Sequence, residues 1–190
     1  MSTVTLITGG ARSGKSAFGE ELALRLGGLG VLYVATAVAT DPEMERRIRA
    51  HQERRPAEWT TEERAEGFAS LDTSEYFRKA SAILLDCVGF ALNSALYHRL
   101  SDWDRPDAAE MQSVEEAVSR DLRDLISLCR ETGKELILIT NEVGDGLVPE
   151  AAVSRMYRDA LGRINCLVAS LADRVVLMTC GLPLELKEPQ

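Results

Sequence analysis

Residues 4–16 read VTLITGGARSGKS, and this stretch predicts the fold. Its first half is a short apolar run rich in β-branched residues, which is typical of a buried strand. Its second half, from Gly9 to Ser16, fits the pattern G-x-x-x-x-G-K-S in full. In that pattern the glycines let backbone N–H groups turn around a phosphate, the lysine reaches the outer phosphates, and the serine hydroxyl can bind Mg2+. We therefore predict a strand, a phosphate-binding loop and a helix, in that order.

The loop residues that we assign to nucleotide binding are Gly9, Gly10, Ala11, Arg12, Ser13, Gly14, Lys15 and Ser16. Lys15 is also a candidate catalytic residue, and Ser16 is a candidate Mg2+ ligand. Asp86 is the second candidate ligand, because it ends an apolar run and a carboxylate in that position supports Mg2+ in nucleoside triphosphatases. The glycines do not fit G-x-G-x-x-G, which disfavours a dinucleotide site.

The rest of the chain alternates between two kinds of segment. Apolar runs like the first one recur at 31–35, 83–86, 136–141 and 175–179. Helical patterns lie at 16–26, 41–55, within 90–100, at 114–131 and at 151–172. This alternation predicts an α/β protein of the P-loop NTPase type, with a mostly parallel sheet and helices on both faces. A chain of 190 residues has room for one core, so we predict a single nucleotide-binding domain over 1–190.

The net charge and the apolar stretches of the sequence exclude two kinds of binding partner, nucleic acid and membrane. The net charge is -8, from 22 Lys and Arg against 30 Asp and Glu, so we predict no binding to nucleic acid. The apolar stretch 83–92 is interrupted by Asp86, so we predict no membrane span. The first residues carry no basic leader, which favours a cytoplasmic location.

Four widely spaced cysteines are interpreted as small reduced core residues: Cys87, Cys129, Cys166 and Cys180.

The run 136–141 ends in polar residues, because residues 140–144 read Thr-Asn-Glu-Val-Gly. The carboxyl ends of parallel strands are where such sheets form their sites. Glu142 is therefore a candidate site residue, although a structural turn explains the glycines at 144 and 146 equally well.

His51 is the candidate nucleophile. If 41–55 is a helix, Arg47 and Arg55 lie one turn on either side of this histidine. Guanidinium groups disfavour a protonated imidazole and would hold His51 neutral. A neutral imidazole beside a phosphate site is a potential nucleophile, and a structural histidine is the alternative.

Seven motifs follow one another along nearly the whole chain: 7–16 (ITGGARSGKS), 33–37 (YVATA), 47–63 (RIRAHQERRPAEWTTEE), 84–87 (LLDC), 140–149 (TNEVGDGLVP), 157–165 (YRDALGRIN) and 181–187 (GLPLELK). In these motifs the chain resembles the bifunctional adenosylcobinamide kinase and adenosylcobinamide-phosphate guanylyltransferase family of cobalamin biosynthesis. The phosphate loop is shared with many unrelated enzymes, whereas the histidine segment together with TNEVG and YRD..GR.N is much more specific.

The resemblance implies a two-step chemistry. A nucleoside triphosphate, ATP or GTP, phosphorylates adenosylcobinamide, and GTP then transfers GMP to adenosylcobinamide phosphate through a GMP-histidine intermediate. By motif, His51 is the nucleophile, and residues around the nucleotide include Ala35, Thr36, Ala37, Gln52, Glu53, Arg54, Arg55, Glu63 and Asp86. Ser16 and Asp86 make Mg2+ the expected cofactor, and the family implies a homotrimer. Two other hypotheses stay open: a P-loop kinase for another small molecule, and a non-catalytic nucleotide-sensing protein.

Overall fold

A computed structural model describes residues 2–37, 46, 49 and 52–188. Within these ranges seven strands form one sheet: β1 Val4–Gly9, β2 Val31–Ala35, β3 Thr60–Glu63, β4 Ala82–Asp86, β5 Glu135–Ile139, β6 Arg174–Thr179 and β7 Leu182–Lys187. Their order across the sheet is β3-β2-β4-β5-β1-β6-β7, and only β7 runs antiparallel to its neighbour. The predicted mostly parallel sheet is confirmed.

Helices connect most of these strands. The described ones are α1 Lys15–Gly27, α2 Glu75–Lys79, α3 Val88–Arg99, α4 Ala108–Glu131 and α5 Ala152–Leu171, with a 3-10 turn at Phe68–Thr73. Residues 46, 49 and 52 are helical, and the rest of the predicted helix up to residue 51 lies outside the described residues. α4 begins six residues earlier than predicted, because the Asp107 carboxylate accepts hydrogen bonds from the backbone N–H groups of Ala109 and Glu110 and caps the helix.

Each central strand sends alternate side chains to opposite faces of the sheet. On β4, Ile83 and Leu85 pack into a core shared with α3, α4 and α5, whereas Ala82 and Leu84 pack into a second core with α1. Strands β1, β2 and β5 divide in the same way. The apolar runs were continuous because both faces of these strands are buried, and the prediction of helices on both faces is confirmed.

The two outermost strands were not predicted from the sequence. β3 reads Thr-Thr-Glu-Glu and, among the strands that the structure describes, pairs only with β2, so it needs little apolar surface. β7 is exposed along its whole length, including Leu182, Leu184 and Leu186. β5 ends at Ile139, two residues before the predicted end, because Thr140 and Asn141 turn toward α5 and bond to Asn165.

The cysteines divide into two classes, which corrects the interpretation of all four as core residues. Cys87 and Cys129 are buried, whereas Cys166 and Cys180 are exposed. Cys166 lies on the outer side of α5, and Cys180 lies in the turn between β6 and β7. Among the helices that the structure describes, none combines the length and the apolar character needed to cross a bilayer.

The same substitution at two helical glycines should have opposite effects on stability. A Cβ at Gly27, the last residue of α1, would lie 2.7 Å from the Cβ of Ala82 and 3.0 Å from a methyl group of Val31. We expect Gly27→Ala to lower the free energy of unfolding by about 1 to 3 kcal/mol, because neither neighbour can move aside. A Cβ at Gly162 in α5 meets nothing within 4 Å, so Gly162→Ala should raise the free energy by about 1 kcal/mol.

Urea denaturation of the two variants and the unmodified protein measures both effects. Gly162→Ala serves as the control for the helix preference of alanine. Equal effects of the two substitutions would contradict the close packing between the end of α1 and β4.

Candidate functional site

The carboxyl ends of four adjacent parallel strands meet at one edge of the sheet. Ala35 at the end of β2 pairs with Glu63 of β3 and with Asp86 of β4. Asp86 in turn pairs with Ile139 of β5, and the next strand, β1, leads directly into the loop 9–16. The predicted site residues of these strands are thus collected at the edge where parallel sheets bind ligands.

The loop between β1 and α1 has the shape of a phosphate cradle. Gly14 has a φ of 94° and immediately precedes α1, so the first N–H groups of the helix face the loop. Lys15 is buried, and its Nζ donates a hydrogen bond to the carbonyl oxygen of Gly10 at 3.0 Å. The lysine is therefore folded back across the loop, with its ammonium group over the space that the loop encloses.

The loop is braced from two sides by later parts of the chain. The N–H of Glu142 donates to the Gly9 carbonyl at 3.0 Å, and the N–H of Gly181 donates to the Ser13 carbonyl at 3.1 Å. Gly9 lies so close to β6 that a Cβ there would be 2.5 Å from the backbone oxygen of Met178. The shape of the loop therefore depends on the segment after β5 and on the turn between β6 and β7.

Three side chains at this edge of the sheet form a group that we call the stack: Tyr33, Asp86 and Arg55. The Tyr33 hydroxyl donates to Asp86 Oδ2 at 2.9 Å, and the Arg55 guanidinium lies 3.2 Å from the centroid of the Tyr33 ring. Burial raises the pKa of Tyr33 well above its usual value, and the Asp86 charge adds to this effect. Burial also lowers the pKa of Arg55, against the opposing influence of Tyr33 and Glu20. Because an arginine keeps its proton at any physiological pH, the stack fixes a cation at the strand ends.

Three buried polar atoms of the described residues have no hydrogen-bond partner: Thr8 Oγ1, Ser13 Oγ and Arg55 Nε. Buried polar groups are nearly always paired, so each exception needs an explanation. Ser13 belongs to the cradle, Thr8 directly precedes it, and Arg55 belongs to the stack. Their grouping at this edge of the sheet indicates that a polar ligand completes the site.

The remaining predicted site residues lie in several positions. Ala35 and Ala37 are half-buried, and the Thr36 hydroxyl is bound to the N–H and the carbonyl of Cys87 at 2.7 Å each. Arg54 pairs with Glu20 of α1 at 3.2 Å. Residues at the periphery have exposed side chains: Ala11, Arg12, Gln52, Glu53 and Glu63. His51, the predicted nucleophile, and its neighbour Arg47 lie outside the described residues.

A second group of polar contacts joins α5 to the start of α3 and to the segment after β5. Thr140 Oγ1 donates to Asn165 Oδ1 at 2.7 Å, and Asn165 Nδ2 donates to the Asn141 carbonyl at 3.1 Å. The Tyr157 hydroxyl donates to the Gly89 carbonyl at 3.1 Å.

The Glu142 carboxylate accepts a hydrogen bond from the N–H of Gly144 at 2.6 Å. The turn that was the alternative at this position is thus present, and Glu142 is one of the residues that form it.

Sequence reasoning missed two residues that shape the site, Tyr33 and Glu20. Tyr33 orients Asp86, and Glu20 pairs with Arg54. Tyr33 carried one usable signal, because it lies two residues before the end of β2 and therefore on the same face as the last residue. The contact of Glu20 depends on how α1 packs against the segment after residue 51, which the local sequence does not show. Thr61, in the polar stretch that follows Arg55, places its Oγ1 3.4 Å from a terminal nitrogen of that arginine.

The candidate metal ligands suit Mg2+ better than a metal ion that takes all its ligands from the protein. Ser16 and Asp86 offer oxygen atoms, which this hard cation prefers, and it commonly takes its other ligands from water and substrate phosphates. Across the described ranges there is no group of three or more His, Cys, Asp and Glu side chains that could hold a metal ion by itself.

Comparison with known proteins agrees with the motifs. The model of the cobinamide kinase / cobinamide phosphate guanyltransferase family matches residues 5–186. The chain belongs to this family. The family predicted from the sequence is thus confirmed, and with it the assignment as a bifunctional enzyme.

Three relatives of the family match over 96% of the chain. The bifunctional adenosylcobalamin biosynthesis protein CobU is 37% identical in Escherichia coli strain K12 and 38% identical in Salmonella typhimurium strain LT2, with 98% of each relative covered. The protein CobP of Pseudomonas aeruginosa PAO1 is 39% identical, with 96% covered. A solved structure of a KaiC-like protein from Pyrococcus horikoshii OT3 aligns with a TM-score of 0.49 at 16% identity, over 92% of this chain and 70% of that one.

Thiol labelling tests whether Cys87, the residue after Asp86, is buried as the structure shows. Burial raises the pKa of Cys87 and of Cys129 to about 12, and only the thiolate reacts with disulfide reagents. We expect a thiol reagent to modify Cys166 and Cys180 in the native protein and to leave the other two unmodified even at pH 9. All four should react in denaturant. A Cys166→Ser/Cys180→Ser variant is the control, and rapid labelling of this variant would contradict the structure.

Proposed function

We propose that this enzyme performs both reactions of its family with the nucleotide held on the loop 9–16. In the first, the hydroxyl of adenosylcobinamide attacks the γ-phosphorus of ATP or GTP, the bond to the β-phosphate oxygen breaks, and the hydroxyl proton is released. In the second, GMP passes from GTP to adenosylcobinamide phosphate and pyrophosphate leaves. The observation that carries the proposal is the pair of buried donors without a hydrogen-bond partner, Ser13 Oγ in the loop and Arg55 Nε in the stack.

The loop would bind the triphosphate through its backbone N–H groups and the positive end of α1. Lys15 is already directed across the loop by its bond to Gly10, so a short movement would bring Nζ from a carbonyl oxygen to a phosphate oxygen. This exchange costs little, because the ammonium group is desolvated before the nucleotide arrives. Lys15 would then stabilise the charge that develops on the outer phosphates in both reactions.

Mg2+ would be held by Ser16 and Asp86 together with phosphate oxygens, and when bound it neutralises charge on the phosphates. Tyr33 orients the Asp86 carboxylate by donating to Oδ2, which leaves the orientation of this carboxylate independent of the nucleotide. Asp86 is in this way prepared for a cation at the end of β4.

The guanylyl transfer would proceed through His51. A ring nitrogen of the neutral imidazole attacks the α-phosphorus of GTP, the bond to the β-phosphate oxygen breaks, and pyrophosphate leaves. An oxygen of adenosylcobinamide phosphate then attacks the same phosphorus and the P–N bond breaks, which yields adenosylcobinamide-GDP and restores the histidine. Covalent catalysis divides one difficult transfer into two displacements.

Arg55 is our choice for the cation beside the α-phosphate. Its side chain stacks on Tyr33 and its Nε is buried without a partner, so its guanidinium is held in place with hydrogen-bonding capacity to spare. Arg54, the neighbouring candidate, is more exposed and pairs with Glu20. The stacked arginine can donate to a phosphate without first giving up an ion pair.

We also propose a homotrimer, a cytoplasmic location and a single domain over the whole chain, as the family resemblance and the sequence imply. Analytical ultracentrifugation tests the trimer directly.

The covalent intermediate can be detected without the corrinoid. The unmodified protein, incubated with Mg2+ and GTP labelled at the α-phosphate, should take up label that survives alkali and is lost in acid, as expected for a phosphoramidate. His51→Ala should take up none. His98→Ala is the matched control, because His98 is the other histidine of the chain and lies exposed near the end of α3. If GTP binds and the unmodified protein stays unlabelled, the chain is a kinase without nucleotidyl-histidine chemistry.

Substitution of Arg55 tests the cation beside the α-phosphate. We expect Arg55→Ala to slow formation of the adduct at least tenfold, which corresponds to about 1.4 kcal/mol in the barrier. Arg55→Lys should recover part of the rate, because it keeps the charge and loses the flat stacking surface. Arg123→Ala, at an exposed arginine of α4, is the control. An effect of less than threefold for Arg55→Ala would remove Arg55 from this role.

A further inference from the structure

Two helices, α3 and α5, extend beyond the nucleotide edge of the sheet. Asn165 of α5 is level with the end of β5, where it bonds to Thr140 and Asn141. The thirteen residues of α5 before it span about 20 Å, at 1.5 Å per residue, and therefore continue past the strand ends. α3 begins right after Cys87 at the same edge and runs antiparallel to α5. This follows because Gly89 lies beside Leu161, whereas Leu96 lies beside Val153.

A cavity of about 210 Å³ opens in this projecting part, between α3, the start of α5 and the loop after α3. Its walls are Asn93, Leu96, Trp103, Val153, Ser154 and Tyr157. Tyr157 belongs both to the cavity and to the nucleotide edge, because its hydroxyl bonds to the carbonyl of Gly89, three residues after Asp86. Tyr157 therefore connects the cavity to the start of α3, which follows β4 directly.

The lining of this cavity is neutral. Leu96 and Val153 provide an apolar floor, Trp103 is 40% exposed at the rim, and the side chains of Asn93 and Ser154 offer hydrogen-bonding groups. Tyr97, which is 70% exposed, lies 6.5 Å from the Trp103 ring and extends the aromatic surface. Such a combination of exposed aromatic surface and a few amide or hydroxyl groups is typical of a site for an uncharged organic ligand.

Two other cavities have a different character. One, between the 3-10 turn and α4, is lined by Glu66, Arg99, Arg120, Asp121 and Asp124, and Asp121 there already accepts the N–H groups of Gly67 and Phe68. The other lies against Gly10 of the phosphate loop and carries the carboxylates of Glu142 and Asp145. Neither surface suits a neutral, largely apolar molecule.

We propose that the cavity lined by Asn93, Trp103 and Ser154 binds the rim of the corrin ring of adenosylcobinamide, with its methyl groups and one carboxamide arm. A corrin is a flat macrocycle whose rim carries methyl groups and amide arms, and the cavity is too small for the whole ring. Leu96 and Val153 contact the methyl groups, Trp103 covers the ring edge, and Asn93 and Ser154 exchange hydrogen bonds with the amide. The arm that carries the reacting hydroxyl of adenosylcobinamide is then free to reach the phosphates at the end of β4. This inference rests on the proposed function, since it places the acceptor of that same site.

Steady-state kinetics of the kinase reaction separate acceptor binding from nucleotide binding. For Asn93→Ala/Trp103→Ala we expect the KM for adenosylcobinamide to rise at least tenfold, with the KM for the nucleotide within twofold of the unmodified value. The rate of GMP-adduct formation, which needs no acceptor, should also stay within twofold. Tyr76→Ala, at an exposed tyrosine of α2, is the matched control and should change neither KM.

Ser154→Asp is a second variant, chosen because the substitution should change the cavity and leave the fold intact. Residue 154 is the third residue of α5, where a carboxylate favours the helix, so the change puts a charge into the neutral cavity without weakening the fold. We expect it to raise the KM for adenosylcobinamide at least fivefold. A KM for adenosylcobinamide within twofold of the unmodified value in both variants, or an equal rise of both KM values, would overturn the proposal.

The two proposals can fail separately. An unmodified protein with kinase activity and no GMP adduct would remove the histidine step and leave the kinetic test of the cavity intact. If the unmodified protein has no kinase activity, the proposed function fails. Equilibrium dialysis with adenosylcobinamide then decides the cavity, and equal binding by the unmodified protein and Ser154→Asp overturns it.

Discussion

The close approach of Gly9 to β6 is the constraint on which the site depends. Only a residue without a side chain fits there, because a Cβ would meet the Met178 carbonyl oxygen at 2.5 Å and Ser13 Oγ at 2.7 Å. The chain can consequently turn at once from β1 into the loop and place Gly14 at the head of α1. The position of Lys15, the unpartnered Ser13 hydroxyl and the direction of α1 all follow from that turn. Two further glycines, at 14 and 181, let the turn between β6 and β7 rest on the loop, where a Cβ at Gly14 would be 3.3 Å from the Cα of Gly181.

The stack of Arg55, Tyr33 and Asp86 is the second organising contact, and it links the segment after residue 51 to the centre of the sheet. Arginine is suited to this position because its flat guanidinium can lie on an aromatic ring and still donate hydrogen bonds at its edge. A lysine would provide the charge without the fixed orientation. The phosphate loop supplies backbone donors, and the stack supplies a side-chain cation near the ends of β2 and β4. Together they describe a site for a polyanion on a protein whose net charge is -8.

The sequence predicted the central strands well because each is buried on both faces and reads as a continuous apolar run. β3 was missed because Thr60 to Glu63 is polar. β7 was missed because it is exposed and forms no continuous apolar run, although Leu182, Leu184 and Leu186 alternate as the residues of a strand do. In the site, the pattern of Gly9 to Ser16 predicted the loop, and Asp86 was found as the end of a strand. Tyr33 and Glu20 could not be found in this way, because their contacts with Asp86 and Arg54 depend on strand register and on the packing of α1. The role of His51 stays a prediction from its motif.

The order of strands has a consequence for how the chain acquires its phosphate loop. β1 lies between β5 and β6 in the sheet, yet its partners in those strands come more than 125 positions later in the chain. The contacts that brace the loop come from residues as late as Gly181. During synthesis the loop therefore cannot reach its final form until Gly181 has left the ribosome. Such a dominance of distant contacts makes folding slow and leaves β1, with two unpaired edges, exposed to wrong partners in the meantime.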